Sequence, residues 1–542
     1  MKLNINKSNM KLFKQILSLS LMTMTLISCQ KFLTEKPTAN ITADYKFTTA
    51  TEGNALVVSS YRALTSVYTG GGGDFGNFLP AVLEYWTGKA FSSATHPRFE
   101  LFQTNQVSGN MLQNFDNYWN NNYQGVKDCN LAIQNLNGIT EYTTSQKSSK
   151  MAEVRALRAL YYFNLVRYFG DVVLDTALST IADSKKPRVS LKKIYDEIII
   201  PDLLFAVNST LPDLNSNGSM AKNSARAILA DVYLTCAGYP YQEVATDSAK
   251  AWCTTGAFTQ QTYPVVNSNA KDFLVKAKVQ LDYLYGKYSM ASAYSELRNP
   301  ANDNRGESIF QVQFEPGISD MIGFIGSMVP LGSRTADITE FGTLIPTLSY
   351  ANTFASNDLR GQNRQFLYVN DNMISRYDPS TPLVRFNQPY CYKYYDEARA
   401  KGTANTALNF TVYRYSDILL MLTEVNWALQ QNGITVPDAD VLKGINAIRI
   451  RAKLPNLFIN QINNLSIFSE RAWELMFENK MIWDQRRSRK CLIDGVGSFS
   501  IENFIGHRPT NYSYNFSNKN LLAPIGQAEI SNNSNCLQNF GY

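Results

Sequence analysis

Apolar residues recur at three- and four-residue steps through much of this chain, and the intervals where that rhythm stops divide it into parts. Over Glu153–Phe169 the positions Val154, Leu157, Tyr161, Leu165 and Tyr168 fall on one face of a helix, with Gly170 placed as its C-terminal cap. The same spacing predicts helices over 190–208, 222–237 and 243–253, punctuated by Leu211-Pro212 and Gly238-Tyr239-Pro240. From 254 to 409 the periodicity fades and Asn, Ser, Gly and Pro become frequent, which predicts a loop-rich insertion with short strands such as Ser308–Phe314. Helices resume over 411–431, 438–453 and 466–490; in the first, Tyr415, Ile418, Leu422, Val425 and Leu429 make the buried stripe.

Helices of this length in succession are similar to tetratricopeptide arrays, and Ala225, Ala227 and Ala230 suit close helix approach. The expected fold is therefore mainly α: a tetratricopeptide-like helical scaffold with a loop-rich insertion and a few short strands. The scaffold is assigned to 47–253 and 410–490, the insertion to about 254–409 and a C-terminal tail to 491–542, all within one domain over 47–542. An irregular, aromatic-rich break in a helical scaffold is a usual place for binding function.

The first residues follow a different pattern. Lys2, Lys7, Lys11 and Lys14 precede an apolar run too short and too polar to span a bilayer, which predicts a signal peptide over 1–28. Leu26-Ile27-Ser28-Cys29 resembles the lipobox of bacterial lipoproteins. That resemblance implies cleavage before Cys29 and lipidation of Cys29, with 29–46 as a tether broken by Pro37. Each buried methylene of an acyl chain adds about 0.8 kcal/mol, so several chains make a lasting anchor.

Removing the four lysines of the leader lowers the net charge from +6 to +2, and a body so nearly neutral argues against a nucleic-acid partner. With 31 Tyr against 2 His, the composition suits sugar or peptide binding better than acid–base chemistry. Six scattered cysteines follow Cys29 with no C-x-x-C pair, so no zinc module is read from them, and buried free thiols are expected.

Several motifs in order resemble the SusD/RagB family of outer-membrane nutrient-binding lipoproteins. Phe32-Leu33 and Pro37 follow the cysteine. Ala152–Leu174 carries Arg-Ala…Tyr-Tyr-Phe-x-Leu-Val…Phe-Gly-Asp, and Ala225–Leu234 resembles the helix Ala-x-Ala-Leu-Leu-Ala-x-x-Tyr-Leu. Glu307–Phe314, Arg414–Glu424 and Ile445–Pro455 match further segments, followed by Glu470-Arg471, Trp483-Asp484, Arg486-Arg487 and the ending Gln538–Tyr542. The resemblance implies oligosaccharide binding, or peptide binding in some members, without chemistry and without a cofactor. It also implies a SusC-like TonB-dependent transporter as partner and a lipid-anchored place at the outer membrane, facing the cell exterior. A lipid-anchored glycoside hydrolase and a protein-binding scaffold are the alternatives.

Glu470, Glu474 and Glu478 are spaced to share a helix face, with Arg471, Lys480, Arg486 and Arg487 near enough in sequence to pair with them. Ion pairing is the expected role, since catalytic carboxylates normally face each other from different elements. Gly71–Gly76 satisfies G-x-G-x-x-G without the strand and helix a dinucleotide site needs, and His96 and His507 form no motif. Asn302, Asp303 and Asn304 beside Gly306 read as a polar turn rather than a metal loop. Among the tryptophans only Trp86 falls outside a helical pattern. With Tyr85, Phe91 and Arg98 it offers the aromatic plane and polar donors a sugar requires. Tyr283 and Tyr285, in a stretch that also holds Tyr288 and Tyr294, form a second candidate ligand-binding group.

Overall fold

Burial of the apolar stripe on Thr144–Phe169 organises the N-terminal half. The computed structural model describes residues 45–69, 79–92, 97–108, 113–178, 184–244, 251–258, 262–315, 317, 324–328, 342–368, 389–396 and 405–542. The helix begins well before its apolar stripe because Thr143 and Gln146 make a capping box: the Thr143 hydroxyl accepts from the Gln146 N–H, and the Gln146 side chain accepts from the Thr143 N–H. Gly170, at φ 75°, closes its C-terminus.

In chain order the main helices are α1 (Ala50–Ser59), α2 (Arg62–Thr69), α3 (Leu79–Thr87), α4 (Gln113–Leu136), α5 (Thr144–Phe169) and α6 (Ile200–Val207). They continue with α7 (Lys222–Cys236), α8 (Ser268–Leu284), α9 (Tyr415–Gln431), α10 (Asp438–Arg451), α11 (Asn464–Glu474) and α12 (Met481–Ser488). From α4 to α10 each helix packs on its successor, while α1 and α2 pack on α4. This is the tetratricopeptide-like stack. No helix among the described residues is long and apolar enough to cross a membrane.

The helix expected over 190–208 is Leu191–Ile194, a widened π turn at Tyr195–Ile199, and α6. The wide turn ends where Pro201, which cannot donate, enters the first turn of α6. Helix α8 lies inside the stretch read as loop-rich: Ala270, Phe273, Leu274, Ala277, Leu281 and Leu284 are buried at helical spacing, so the stack extends to Leu284. The segment 466–490 is two helices, not one, because Phe477 (φ 57°) and Asn479 (φ 59°) turn left-handed between α11 and α12. In the expected 243–253 helix, residues 245–250 lie outside the described residues.

Strands are short and pair in twos among the described residues. β1 (Ser308–Val312) runs antiparallel to β2 (Phe410–Arg414), with Ser308 opposite Arg414 and an irregularity at Phe310. β3 (Lys490–Gly495) and β4 (Ser498–Asn503) form a hairpin. The C-terminal tail returns to α5: the Asn539 amide donates to the carbonyls of Phe169 and Ala523, and its oxygen accepts from Arg188. Cys129, Cys236, Cys253, Cys391, Cys491 and Cys536 are buried free thiols.

Candidate functional site

The first aromatic group is not a ligand platform. Trp86 sits in α3 with 1% of its surface exposed, its edge and faces taken by Phe102, Phe115 and Tyr168. The Arg486 guanidinium lies 4.6 Å from its ring centroid, so the face a sugar would use is occupied from within the protein. Tyr85 is 3% exposed and donates its hydroxyl to the Thr343 carbonyl. Phe91 is half-buried in the two-residue strand Ala90–Phe91 and packs on the cluster of Ile345, Tyr368, Tyr390 and Tyr392. Arg98 falls in the short helix Pro97–Gln103, its side chain outside the described ones, and His96, Gly71–Gly76 and Cys29 also lie outside the described residues. The sequence signal for Trp86 failed because a nine-residue helix is too short to display a clear period.

The acidic group is structural, though its partners differ from the neighbours in sequence. Glu470 pairs with Arg360 (2.6 Å) and Arg449 (2.9 Å). Glu474 pairs with Arg414 (2.7 Å) and Arg451, and Glu478 with Arg414 (2.8 Å) and Lys393. A further carboxylate, Glu307, faces this group across the same guanidinium, 2.6 Å from Arg414 and 2.6 Å from Arg451. Asp358 completes the group on Arg360. Burial alone would raise the Glu474 and Glu307 carboxyls, but Arg451 and Arg414 outweigh it and hold both below the ordinary carboxylate range. A general acid needs the opposite shift. Arg471 and Lys480 serve Asp417, and Arg487 serves Glu424.

The second aromatic group leads to a cleft. The start of α7 and the end of α8 lie side by side: the Tyr283 hydroxyl donates to Asp213 (3.2 Å), and the Arg226 guanidinium covers the Tyr283 ring at 3.9 Å. The loops leaving these ends, 214–221 and 287–306, face each other over β1 and enclose a cleft of about 400 Å³. Tyr288, Asn304, Arg305, Lys287, Gln311 and Ser219 are among its lining. Tyr288 is half-buried, its hydroxyl pushed up to about 12 by burial, against the opposing influence of the Asn223 side chain. Tyr283 is not in this lining; Tyr285, 41% exposed, carries the Lys443 ammonium 4.3 Å from its ring; Tyr294 is buried.

Amide side chains fix the far wall. The Asn304 N–H donates to Gln311 Oε1 (2.7 Å), and the Asn304 and Gln313 amides exchange hydrogen bonds of 2.7 and 3.0 Å. Asn304 (φ 57°) and Gly306 (φ 63°) take the left-handed turns this demands. Burial pushes the adjacent Asp303 carboxyl up to about 6, against the hydrogen bond it accepts from Gln311. The near wall rests on Gly218, at φ 78°, where a Cβ would meet the Gln313 amide carbon at 2.2 Å. The polar turn at 302–306 was legible as a turn; that its amides clamp a cleft depends on Gln313 and Gly218, far apart in sequence. No group of three metal-ligating side chains is gathered among the described residues.

A second cleft, of about 410 Å³, opens on α4 and the tail. Its floor includes Trp119, which is buried, and its rim sets Lys127 against Asp175 and Glu529.

Comparison with known proteins agrees with this architecture. The SusD family model matches residues 350–542, and a model described as "Starch-binding associating with outer membrane" matches residues 76–234. The SusD-like protein P2 of Formosa agariphila is 24% identical over 455 residues, covering 78% of this chain and 79% of its own. The crystal structure of a SusD superfamily protein from Parabacteroides distasonis superposes with a TM-score of 0.80 at 32% identity, covering 92% of this chain and 100% of that one. The surface glycan-binding protein A of Bacteroides thetaiotaomicron, in complex with laminarihexaose, has the same fold at a TM-score of 0.68 and 17% identity, covering 91% of this chain and 100% of that one.

Proposed function

This chain belongs to the SusD superfamily, and on that premise we propose that it binds an oligosaccharide at the outer membrane and passes it on unchanged. The observation that carries the reading is the cleft between loops 214–221 and 287–306, where the half-buried Tyr288 ring stands among amide and hydroxyl groups. A pyranose presents an apolar C–H face and a rim of hydroxyls, and an aromatic plane edged by fixed polar groups complements both. Support for a glycan also comes from the relative of the same fold that holds laminarihexaose.

The carboxylates speak against turnover. Glu307, Glu470, Glu474 and Glu478 are each bound to a guanidinium and buried, so none is presented to the leaving oxygen of a bound glycan. Capture without chemistry requires delivery. The proposal therefore includes a SusC-like TonB-dependent transporter as the recipient and Cys29 as the lipidated anchor, with the body facing outward.

Isothermal titration of the purified protein against a panel of oligosaccharides, with reducing-end analysis of the recovered ligand, tests the reading. The expected result is binding with the ligand returned intact. Tyr288→Ala should weaken it by about 1–3 kcal/mol, by analogy with a base stacked on an aromatic ring. New reducing ends, abolished by a Glu474→Gln variant that still folds, would replace the binding protein by a hydrolase. Continued membrane association of Cys29→Ala after a salt wash would remove the lipid anchor.

A further inference from the structure

Hydroxyl and amide groups of the lining can both donate and accept, but its charged side chains are all cationic. Lys287 and Arg305 are exposed and are the only charged residues in the lining. Neither forms an ion pair among the described residues. The Lys287 ammonium stands 5.6 Å from the Tyr283 ring. The nearby carboxylates lie outside the lining: Asp213 is engaged with Tyr283 and Lys222, while Asp303 accepts from Gln311 and feels the Arg305 charge without forming an ion pair with it. Two amide oxygens of the wall are engaged within the protein. Gln311 Oε1 accepts from the Asn304 N–H, and Asn304 Oδ1 accepts from Gln313.

A neutral sugar brings hydroxyls that need acceptors as well as donors, and carboxylate or amide oxygens usually supply them. Here the lining has no carboxylate, and its two charged groups, an ammonium and a guanidinium, only donate. These two groups are best met by acceptors on the ligand, and a negative charge turns each such contact into a charge-assisted hydrogen bond. The cleft on α4 differs in this respect: its lining includes the carboxylates Asp175 and Glu529 as well as Lys127.

We infer that the glycan taken by the cleft is acidic, with a carboxylate or sulfate held by Lys287 and Arg305 while an adjacent ring lies on Tyr288. This rests on the cleft being the ligand site proposed above.

The test uses the full chain, purified in mild detergent, and four probes: tetragalacturonate, its methyl ester, a sulfated galactotetraose and neutral laminarihexaose. One or both acidic probes should bind, and the carboxylated and sulfated arms identify which anion is preferred. The methyl ester should bind at least about 10-fold more weakly than its parent acid, and Arg305→Gln or Lys287→Gln should each weaken acidic binding by about 10-fold, as expected for losing one charge-assisted contact. Raising sodium chloride from about 50 to 500 mM should weaken it further. Melting temperatures of both variants should match the parent, since both side chains are exposed. Binding of laminarihexaose alone, lost in Tyr288→Ala, would overturn the charge preference and leave the glycan site standing. Acidic binding unchanged in the Lys287→Gln/Arg305→Gln double variant would overturn the placement, and failure of all four probes would overturn the inference together with the cleft's role.

Discussion

Gly218 lies so close to Gln313 that a Cβ on the glycine would sit 2.2 Å from the glutamine's amide carbon. This contact joins the two walls of the cleft, because Gln313 is itself locked to Asn304 and Asn409. Gly218→Ala meets both a left-handed backbone and that amide. The expected cost is at least about 1 kcal/mol in stability, with ligand affinity falling more steeply than the melting temperature as loop 214–221 is displaced. Equal affinity in the variant would mean that the wall does not shape the site.

Trp86→Ala should behave as a core mutation. Its ring is enclosed by Phe102, Phe115, Tyr168 and Arg486, and the cavity left behind should cost about 3–5 kcal/mol in urea unfolding. The surviving folded fraction should bind ligand with unchanged affinity.

Glu474→Ala should destabilise by about 3–5 kcal/mol, since it leaves Arg414 and Arg451 buried with a partner missing. The pH dependence has a definite sign. Glu474 and Glu307 have folded values below the ordinary 4.5. Their contribution is complete above about 4.5 and is lost as pH falls through the folded values. Glu474→Gln should therefore flatten the acid side of a stability–pH curve while leaving its alkaline side in place.

Glu84 should do the reverse. Burial pushes its carboxyl up to about 8, despite the Asn479 N–H it accepts and the nearby Lys393 ammonium. A raised folded value gives stability that is complete below about 4.5 and is lost as pH rises through about 8. Glu84→Gln, which keeps the shape and cannot ionise, should hold its melting temperature between pH 6 and 9 where the parent declines. Parallel declines in both proteins would place the titration elsewhere.

These groups mark what sequence alone could and could not reveal. The helical stack was legible because stripes such as Val154–Tyr168 repeat locally, and the Gly170 cap is a one-residue signal. Helix α8 has a good period of its own, but the polar, aperiodic stretches on either side of it obscure that signal. Ion pairing of Glu470, Glu474 and Glu478 was foreseeable from charge balance, but Arg360, Lys393 and Arg414 come from distant segments that no spacing rule connects. Trp86 and Tyr288 illustrate the same limit for the site: both lie in aromatic-rich stretches, and only the position of Arg486 over one ring and the open cleft before the other separates core from surface.

The guanidinium of Arg414 also sets an order of events during folding. Its carboxylate partners come from Glu307 on one side of the chain and from Glu474 and Glu478 on the other, so its full set of partners is assembled only when the last stretch has arrived. A chain delivered from its N-terminus can assemble α4 to α8 from near neighbours, whereas the ion-pair group around Arg414 closes only with residues beyond 470. Contacts of such long sequence separation are slow to form, and waiting intermediates are exposed to proteases and aggregation. Nonsense or frameshift lesions ahead of Glu474 should therefore yield degradation products rather than a shorter, working receptor.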